Sequence, residues 1–497
     1  MSRTAPETDS TTEGLRKGRL GVVGIVFFVV AAAAPLVGMT GAVPVAIVLG
    51  NGAAAPGAYL VVGITLLLFS VGYAAMSQRV TNAGAFFAYI GRGLGRHAGI
   101  ASAFVSILAY VAVQLAIYGF FGAVVAAQFG LLPWWAWSLL AWLAVTALSL
   151  LSVDVGAKVL GVLMIFELAS LLIVSVAILA DGGPEGLNVA ASFAPDRILI
   201  GGLAGSAGIA FAFAFASFIG FEATAIYGEE SKEPKKVVPR ATYLAVIVIT
   251  VLFAVTSFAM VTGMGSSVVV DKTLELSEGL VNPAGVLFSL AAQYVGGWLG
   301  TVMSILVLSS LFAGLLAFQN AASRYFFAMA RGGILPKVLS TTNRRGAPGT
   351  ASILTSVISG IIIVVFAVTQ LDPFLALFSW FSGLAVLAIV LIEILVCVSV
   401  IVFFRRNRGS ENVFQTTVAP ILALVGLVLG EYLLMSRFAI LAGTSAEGVD
   451  PTVTPWAMSA IGWVLVLVPF ALLAVGFVVS GMRRTSEDDQ LLRDVIS

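Results

Sequence analysis

Four glutamates interrupt long apolar runs in this chain: Glu167 in "VLMIFELASLL", Glu222 in "FIGFEATAI", Glu393 in "VLIEILVC" and Glu431 in "LGEYLL". An ionised carboxylate kept from water costs several kcal/mol unless it is paired. Each of the four is therefore neutral, paired or bound to a cation, and each is a candidate for function. Carboxyls in such a setting carry protons or hold cations. The chain has one histidine, His97, placed in a cytoplasmic loop, and one cysteine, Cys397, in an apolar run. An intrachain disulfide is impossible, and transition-metal chemistry has few ligands to draw on. No Ser/His/Asp constellation or metal-ligand spacing accompanies the acids. Neither an enzyme nor a bound cofactor is expected.

The elements that must position these acids are membrane helices. Of the 497 residues 60% are hydrophobic and 10% charged, and the mean hydropathy is +1.06. A run of about 20 apolar residues crosses a bilayer, and at that length it does so as a helix. Twelve such runs fall near 20–49, 58–78, 99–127, 133–151, 156–180, 201–228, 241–263, 298–323, 350–369, 374–404, 414–435 and 456–480. With a cytoplasmic N-terminus, 23 of the 26 Lys and Arg lie on the inner side, leaving Arg197, Lys272 and Arg437 outside, as the positive-inside rule requires. The expectation is an all-α protein of the cell membrane with cytoplasmic tails at 1–19 and 481–497. A net charge of +1 gives no case for nucleic acid.

Most of the 52 glycines suit close helix packing, but two clusters combine Gly with Pro or with an acid. They are "AAAAPLVGMTGAVP" at 31–44 and "FASFIGFEA" at 215–223. Pro35 and Pro44 lack an N–H, while Gly38, Gly41 and Gly220 tolerate non-helical angles. Interruptions are predicted near Gly38–Gly41 in the first span and Ser217–Gly220 in the sixth. Five spans apart, the two cross the membrane in opposite directions, the arrangement of an inverted repeat with discontinuous helices at its centre.

The stretch "SFIGFEATAIYGEESKEPKKVVPRA" at 217–241 resembles the sixth span and following loop of the amino acid–polyamine–organocation transporters. "SRYFFAMARGGILP" at 323–336 and "VTNAGAFFAYIGRGLG" at 80–95 resemble the same family's loops after the eighth and second spans. The likeness covers about residues 15–480. It implies a leucine-transporter fold: five spans over 20–180, five inverted over 201–404, and two further helices over 414–480. It also implies a substrate held by the exposed backbone of helices one and six, at Pro35, Gly38, Met39, Thr40 and Gly41, and at Ser217, Phe218, Ile219, Gly220 and Phe221. Phe218 and Phe221 are placed to close over a side chain or simply to pack. Glu222 matches the motif as a gating, ammonium-binding or proton site. Two departures stand out: "PLVGMTGAVP" replaces the family's G-[ST]-G-I-F run, and Ala85 and Phe86 stand where many members have a second Gly and its neighbouring aromatic.

Glu167 aligns where many sodium-independent members carry a lysine, so a carboxylate there is either a proton carrier or a sodium ligand. Gln114 and Tyr118, one turn apart, are candidates to line the pocket. Ser309 and Ser310 are candidate sodium ligands or ordinary helix hydroxyls. Glu393 is read as a pairing or interface group, and Glu431 as lying near an outer, solvated end. The function expected is secondary active transport of a small amino acid or related amine, driven by protons through Glu222 or Glu167, with lipid as the surrounding medium. The alternatives are sodium-coupled or exchange transport of a polyamine or other small metabolite, and a transporter-like nutrient sensor. A channel would need a filter or charged rings from repeated subunits.

Overall fold

The computed structural model describes residues 21–80, 85–151, 154–225, 231–343, 346–407 and 409–482. The expected tails at 1–19 and from 483 onward lie outside the described residues. Within them the regular structure is helical, apart from an isolated bridge between Ser445 and Met458. The principal helices are α1 (Val22–Ala33), α2 (Pro35–Val37), α3 (Ala55–Ser77), α4 (Ala85–Leu94), α5 (Arg96–Phe129), α6 (Trp134–Leu151) and α7 (Asp154–Asp181). They continue as α8 (Ala207–Phe218), α9 (Pro234–Met264), α10 (Gly297–Arg331), α11 (Gly349–Val368), α12 (Ser379–Arg406), α13 (Ala419–Ala442) and α14 (Ala460–Met482).

Eleven helical stretches among the described residues are long and apolar enough to cross a membrane, where twelve runs were expected. The difference lies at the start, where Val22–Ser77 forms one stretch of 56 residues. At 1.5 Å per residue that is about 84 Å, against a hydrocarbon core of about 30 Å. The backbone leaves helical geometry inside it at Gly50 (φ −101°, ψ −117°) and at Gly52 (φ 59°, ψ −127°). A shorter apolar helix, Ala284–Tyr294, was not foreseen.

Burial orders the bundle. The most apolar window of Ala207–Thr224 is 94% buried, whereas those of Trp134–Leu151 and Ala460–Met482 are 22% buried. The stretch Ala207–Thr224 is thus the centre, and α6 and α14 are the periphery. Their exposed side chains, Leu140, Leu143, Val464, Leu467 and Val478 among them, are apolar, as lipid rather than water requires. Around α8 pack α3, α12 and α13, while α1 packs on α9 and α10. Small residues bring these helices close: a Cβ on Gly63 of α3 would stand 2.3 Å from Thr250 Cγ2 of α9.

Candidate functional site

Two interruptions of the helical backbone meet at the centre. The first is at Ala34 (φ 42°, ψ 67°), between α1 and α2. The expected position, Gly38–Gly41, is four residues too late: Gly38–Ala42 remains helical with π-type bonding. The cause is Pro35, whose ring disfavours the α region for the residue before it and which has no N–H to continue the ladder. The second interruption is at Ile219 (φ −55°, ψ 128°) and Gly220 (φ 114°, ψ −18°), where α8 ends and the 3-10 turn Phe221–Thr224 begins. The two breaks touch, since a Cβ on Gly220 would stand 2.8 Å from Ala32 Cβ.

Each break is answered by a buried carboxylate. Leu36 N–H would donate to the Ala32 carbonyl in an unbroken helix; instead it donates to Glu167 Oε1 at 2.7 Å. The Ser310 hydroxyl of α10 donates to the same oxygen at 3.0 Å, so Glu167 joins α2, α7 and α10. At the second break Gly220 N–H donates to Glu222 Oε2 at 2.9 Å. Tyr110 of α5 donates to Glu222 Oε1 at 2.8 Å, and Tyr73 of α3 donates to the Glu222 carbonyl at 2.7 Å. The helix N-terminus created by each break thus faces a negative or hydrogen-bond-accepting group, as its dipole favours.

Between the breaks lies a cavity of about 60 Å3, room for some four or five water centres. Ala32, Ala33, Ala34 and Gly38 form one wall; Phe213, Ser217 and Ile219 form another. Val113, Ala116 and Ile117 of α5, Phe318 of α10, and Phe378, Ser382 and Ala385 at the start of α12 complete it. Its polar side chains are the hydroxyls of Ser217 and Ser382, and no charged side chain lines it. Ser217 donates to the Phe213 carbonyl at 2.8 Å and lies 3.2 Å from Tyr59 Oη.

The other expected site residues are distributed around this cavity. Gly38, Ser217 and Ile219 line it; Pro35 and Gly220 shape the breaks beside it. Met39 and Thr40 are buried away from it, with the Thr40 hydroxyl on the Leu36 carbonyl at 2.7 Å. Gly41 leaves room for Phe120, whose ring would lie 2.8 Å from an added Cβ. Phe218 packs edge-on against Phe253 and Phe221 against Phe69, at centroid distances of 5.6 and 5.8 Å. Gln114 turns outward from the cavity: its Nε2 donates to Gln319 Oε1 at 2.7 Å, and Gln319 continues to the Ser352 carbonyl. Tyr118 is buried with its carbonyl accepting from Ser138. Ser310 reaches Glu167, but Ser309 turns back to the Leu306 carbonyl at 2.7 Å, so the serine pair does not act together. His97 begins α5 instead of lying in a loop, with Nδ1 2.8 Å from the Ser480 hydroxyl of α14. Glu431 is not near a solvated end: α13 extends to Ala442, which puts Glu431 at mid-helix and 7% exposed. Sequence reasoning missed Ala34, Phe213, Phe378 and Ser382. The Ala-Pro step signals the first, but nothing local marks the others, which come from helices brought in by the fold.

Comparison with known proteins shows the family. Over 217 residues the chain is 27% identical to the branched-chain amino acid permease BcaP of Lactococcus lactis subsp. cremoris, covering 43% of this chain and 42% of that protein. It is 24% identical over 311 residues to the amino-acid permease GAP5 of Candida albicans, covering 61% and 49%. It is 30% identical over 132 residues to the glutamate/gamma-aminobutyrate antiporter of Lactococcus lactis, covering 27% and 25%. The chain spans less than half the length of these curated relatives. The profile of the amino acid permease family, by contrast, matches residues 24–483, nearly the whole chain, and with the many apolar helices this makes it a multi-pass membrane protein that belongs to the amino acid permease family.

Proposed function

We propose that the chain is a secondary active transporter that moves a small amino acid with an apolar side chain, or a related amine, across the cell membrane by alternating access. The observation that carries this reading is the cavity walled by two helix interruptions. Its side chains are mainly apolar and none is charged, so the charged ends of a substrate are met by backbone groups of the two breaks, the Ala32 carbonyl that the Leu36 N–H has left and the Gly220 N–H once Glu222 releases it. A cavity of about 60 Å3 suits the smallest amino acids, and larger side chains require the walls to part. Relatives named for branched-chain amino acids favour the same class of substrate.

In this reading Val22–Ser77 crosses the membrane twice, turning at Gly50–Gly52, so that twelve spans place both termini in the cytoplasm. Residues 20–180 and 201–404 are then two inverted five-helix repeats, each beginning with an interrupted helix whose freed N–H is held by a glutamate. Coupling is to protons, with Glu167 as the carrier. Glu167 Oε1 takes both of its donors, Leu36 N–H and the Ser310 hydroxyl, and Oε2 is left to take a proton. Both oxygens of Glu222 already accept, which fits a link between the second break and α5. A sodium ion would need several oxygen ligands, and with Ser309 turned away the side chains offer Glu167 and Ser310.

The test is uptake of labelled amino acids into proteoliposomes. Uptake of small apolar amino acids should rise with an inward proton gradient and persist without sodium. Binding without uptake would establish the nutrient-sensor reading instead, and sodium-dependent uptake indifferent to pH would overturn the coupling assignment.

A further inference from the structure

Glu393 and Glu431 lie outside everything assigned so far. They sit at the middle of α12 and α13, helices that pack side by side, and are 2% and 7% exposed. Glu167 and Glu222 accept from named donors on neighbouring helices; these two acids differ. Glu393 Oε2 and both carboxylate oxygens of Glu431 lack any hydrogen-bond partner among the described residues. Glu393 is near enough to Glu222 and Glu431 for their charges to act on it.

Among the described residues neither acid is in an ion pair; Arg92 of α4 and Arg96 of α5, on helices packed against α12, have interactions of their own. Of the helices packed on α12, α8 and α14 carry no titratable side chain. From α3, Tyr73 faces Glu393, and Cys397 follows one turn later on α12 itself. Tyr89 of α4 stands against Tyr73, and Tyr110 of α5 is bonded to Glu222. On α13, Arg437 gives its guanidinium to the carbonyls of Ala204, Gly205, Pro451 and Thr452. Arg405 and Arg406 close α12, about 18 Å along the axis from Glu393 at 1.5 Å per residue. An anion without donors or a cation in such a place costs several kcal/mol.

We propose that Glu393 and Glu431 form a second proton-holding site, set in the seam between α12 and α13 behind the substrate cavity and electrostatically coupled to Glu222. Each carboxylate takes one proton from hydronium and becomes a neutral acid: an O–H bond forms on the carboxyl as one breaks in hydronium, leaving water. Because Glu393 lies within electrostatic reach of both neighbours, a charge on Glu222 or Glu431 disfavours a charge on Glu393. None of this rests on the transport reading.

Infrared difference spectroscopy of the full-length protein in lipid, at neutral pH and without substrate, reads the carbonyl stretch of protonated carboxyl groups. Glu393→Gln and Glu431→Gln should each remove one such band, and the bands should be unaffected by sodium. A spectrum unchanged by either substitution, or bands abolished by sodium in the wild type, would overturn the site. Should a glutamine variant fail to fold, Glu393→Asp and Glu431→Asp keep the acid and should shift the band instead of removing it. In a Glu222→Gln background the Glu393 band should change; an unchanged band would overturn the coupling. No uptake is measured, so these outcomes are separate from those that test transport.

Discussion

Glu167 illustrates how one side chain serves architecture and chemistry together. Its Oε1 replaces the carbonyl that Leu36 N–H loses at the break, and a buried N–H left without a partner costs about 1–3 kcal/mol. Glu167→Ala should therefore lower stability by about 1–3 kcal/mol, visible as a lower melting temperature in detergent. Glu167→Gln keeps an accepting oxygen for Leu36 and Ser310 but cannot take up or release a proton. It should melt near the wild type while its uptake loses dependence on the proton gradient. If both variants melt alike and retain that dependence, Glu167 neither caps the break nor carries the proton.

At the scale of the element, the position of each interruption follows from local backbone chemistry, and substitutions can rank the candidates. Gly220 adopts φ 114°, and a Cβ there would stand 2.8 Å from Ala32 Cβ in α1. A left-handed conformation costs an L-residue about 1–2 kcal/mol before any collision. Gly38 is different: its backbone is right-handed helical, and a Cβ would meet Phe253 and Ser217 at 3.3 Å, contacts that a ring or hydroxyl relieves by a small shift. Gly220→Ala should reduce uptake at least about tenfold, equivalent to about 1.4 kcal/mol, whereas Gly38→Ala should reduce it less. Uptake by the two variants at matched expression decides it, and the reverse order would return the hinge to Gly38–Gly41.

Across the whole molecule, polar ties hold distant helices in register within an apolar bundle. One is the chain Gln114–Gln319–Ser352, which joins α5, α10 and α11 in the interior. Another lies on the surface, where Arg79, just past α3, makes two hydrogen bonds to Glu411 before α13, at 2.7 and 2.8 Å. The hydrogen bond and charge of Arg79 hold the Glu411 carboxyl below its ordinary value. A lowered carboxyl pKa contributes stability above its unfolded value and loses it as pH falls through the folded one. Glu411→Gln should thus lower the melting temperature by about 1 °C at neutral pH, a small effect because Arg79 is exposed and screened. The gap between wild type and variant should close below about pH 4.3 and shrink in high salt. A gap that is constant from neutral to acid pH would show that the pair contributes nothing.

Much of this protein was written in its sequence, and the reasons are local. Apolar runs of bilayer length, interrupted by polar loops, fix the helices and their membrane setting. No folding partner is needed, because a chain in lipid must satisfy its backbone within each helix. The Pro and Gly clusters likewise announced two interruptions, and the motif around Glu222 announced the family. The first break falls four residues before the expected glycines because glycine only permits a turn, whereas the stiff step before Pro35 forces one. What the sequence could not state is which side chains meet. Ser309 and Ser310 are adjacent and chemically alike, yet only Ser310 faces Glu167, since a helix turns neighbours about 100° apart. Gln114 and Val113 are also adjacent, and only the packing of α5 on α10 and α12 sends the polar one to Gln319 and the apolar one to the cavity. The same tertiary choice puts Glu393 and Glu431 on packed helices, with Glu393 Oε2 and both Glu431 oxygens unpartnered among the described residues. That isolation is a property of two helices together and belongs to neither sequence alone.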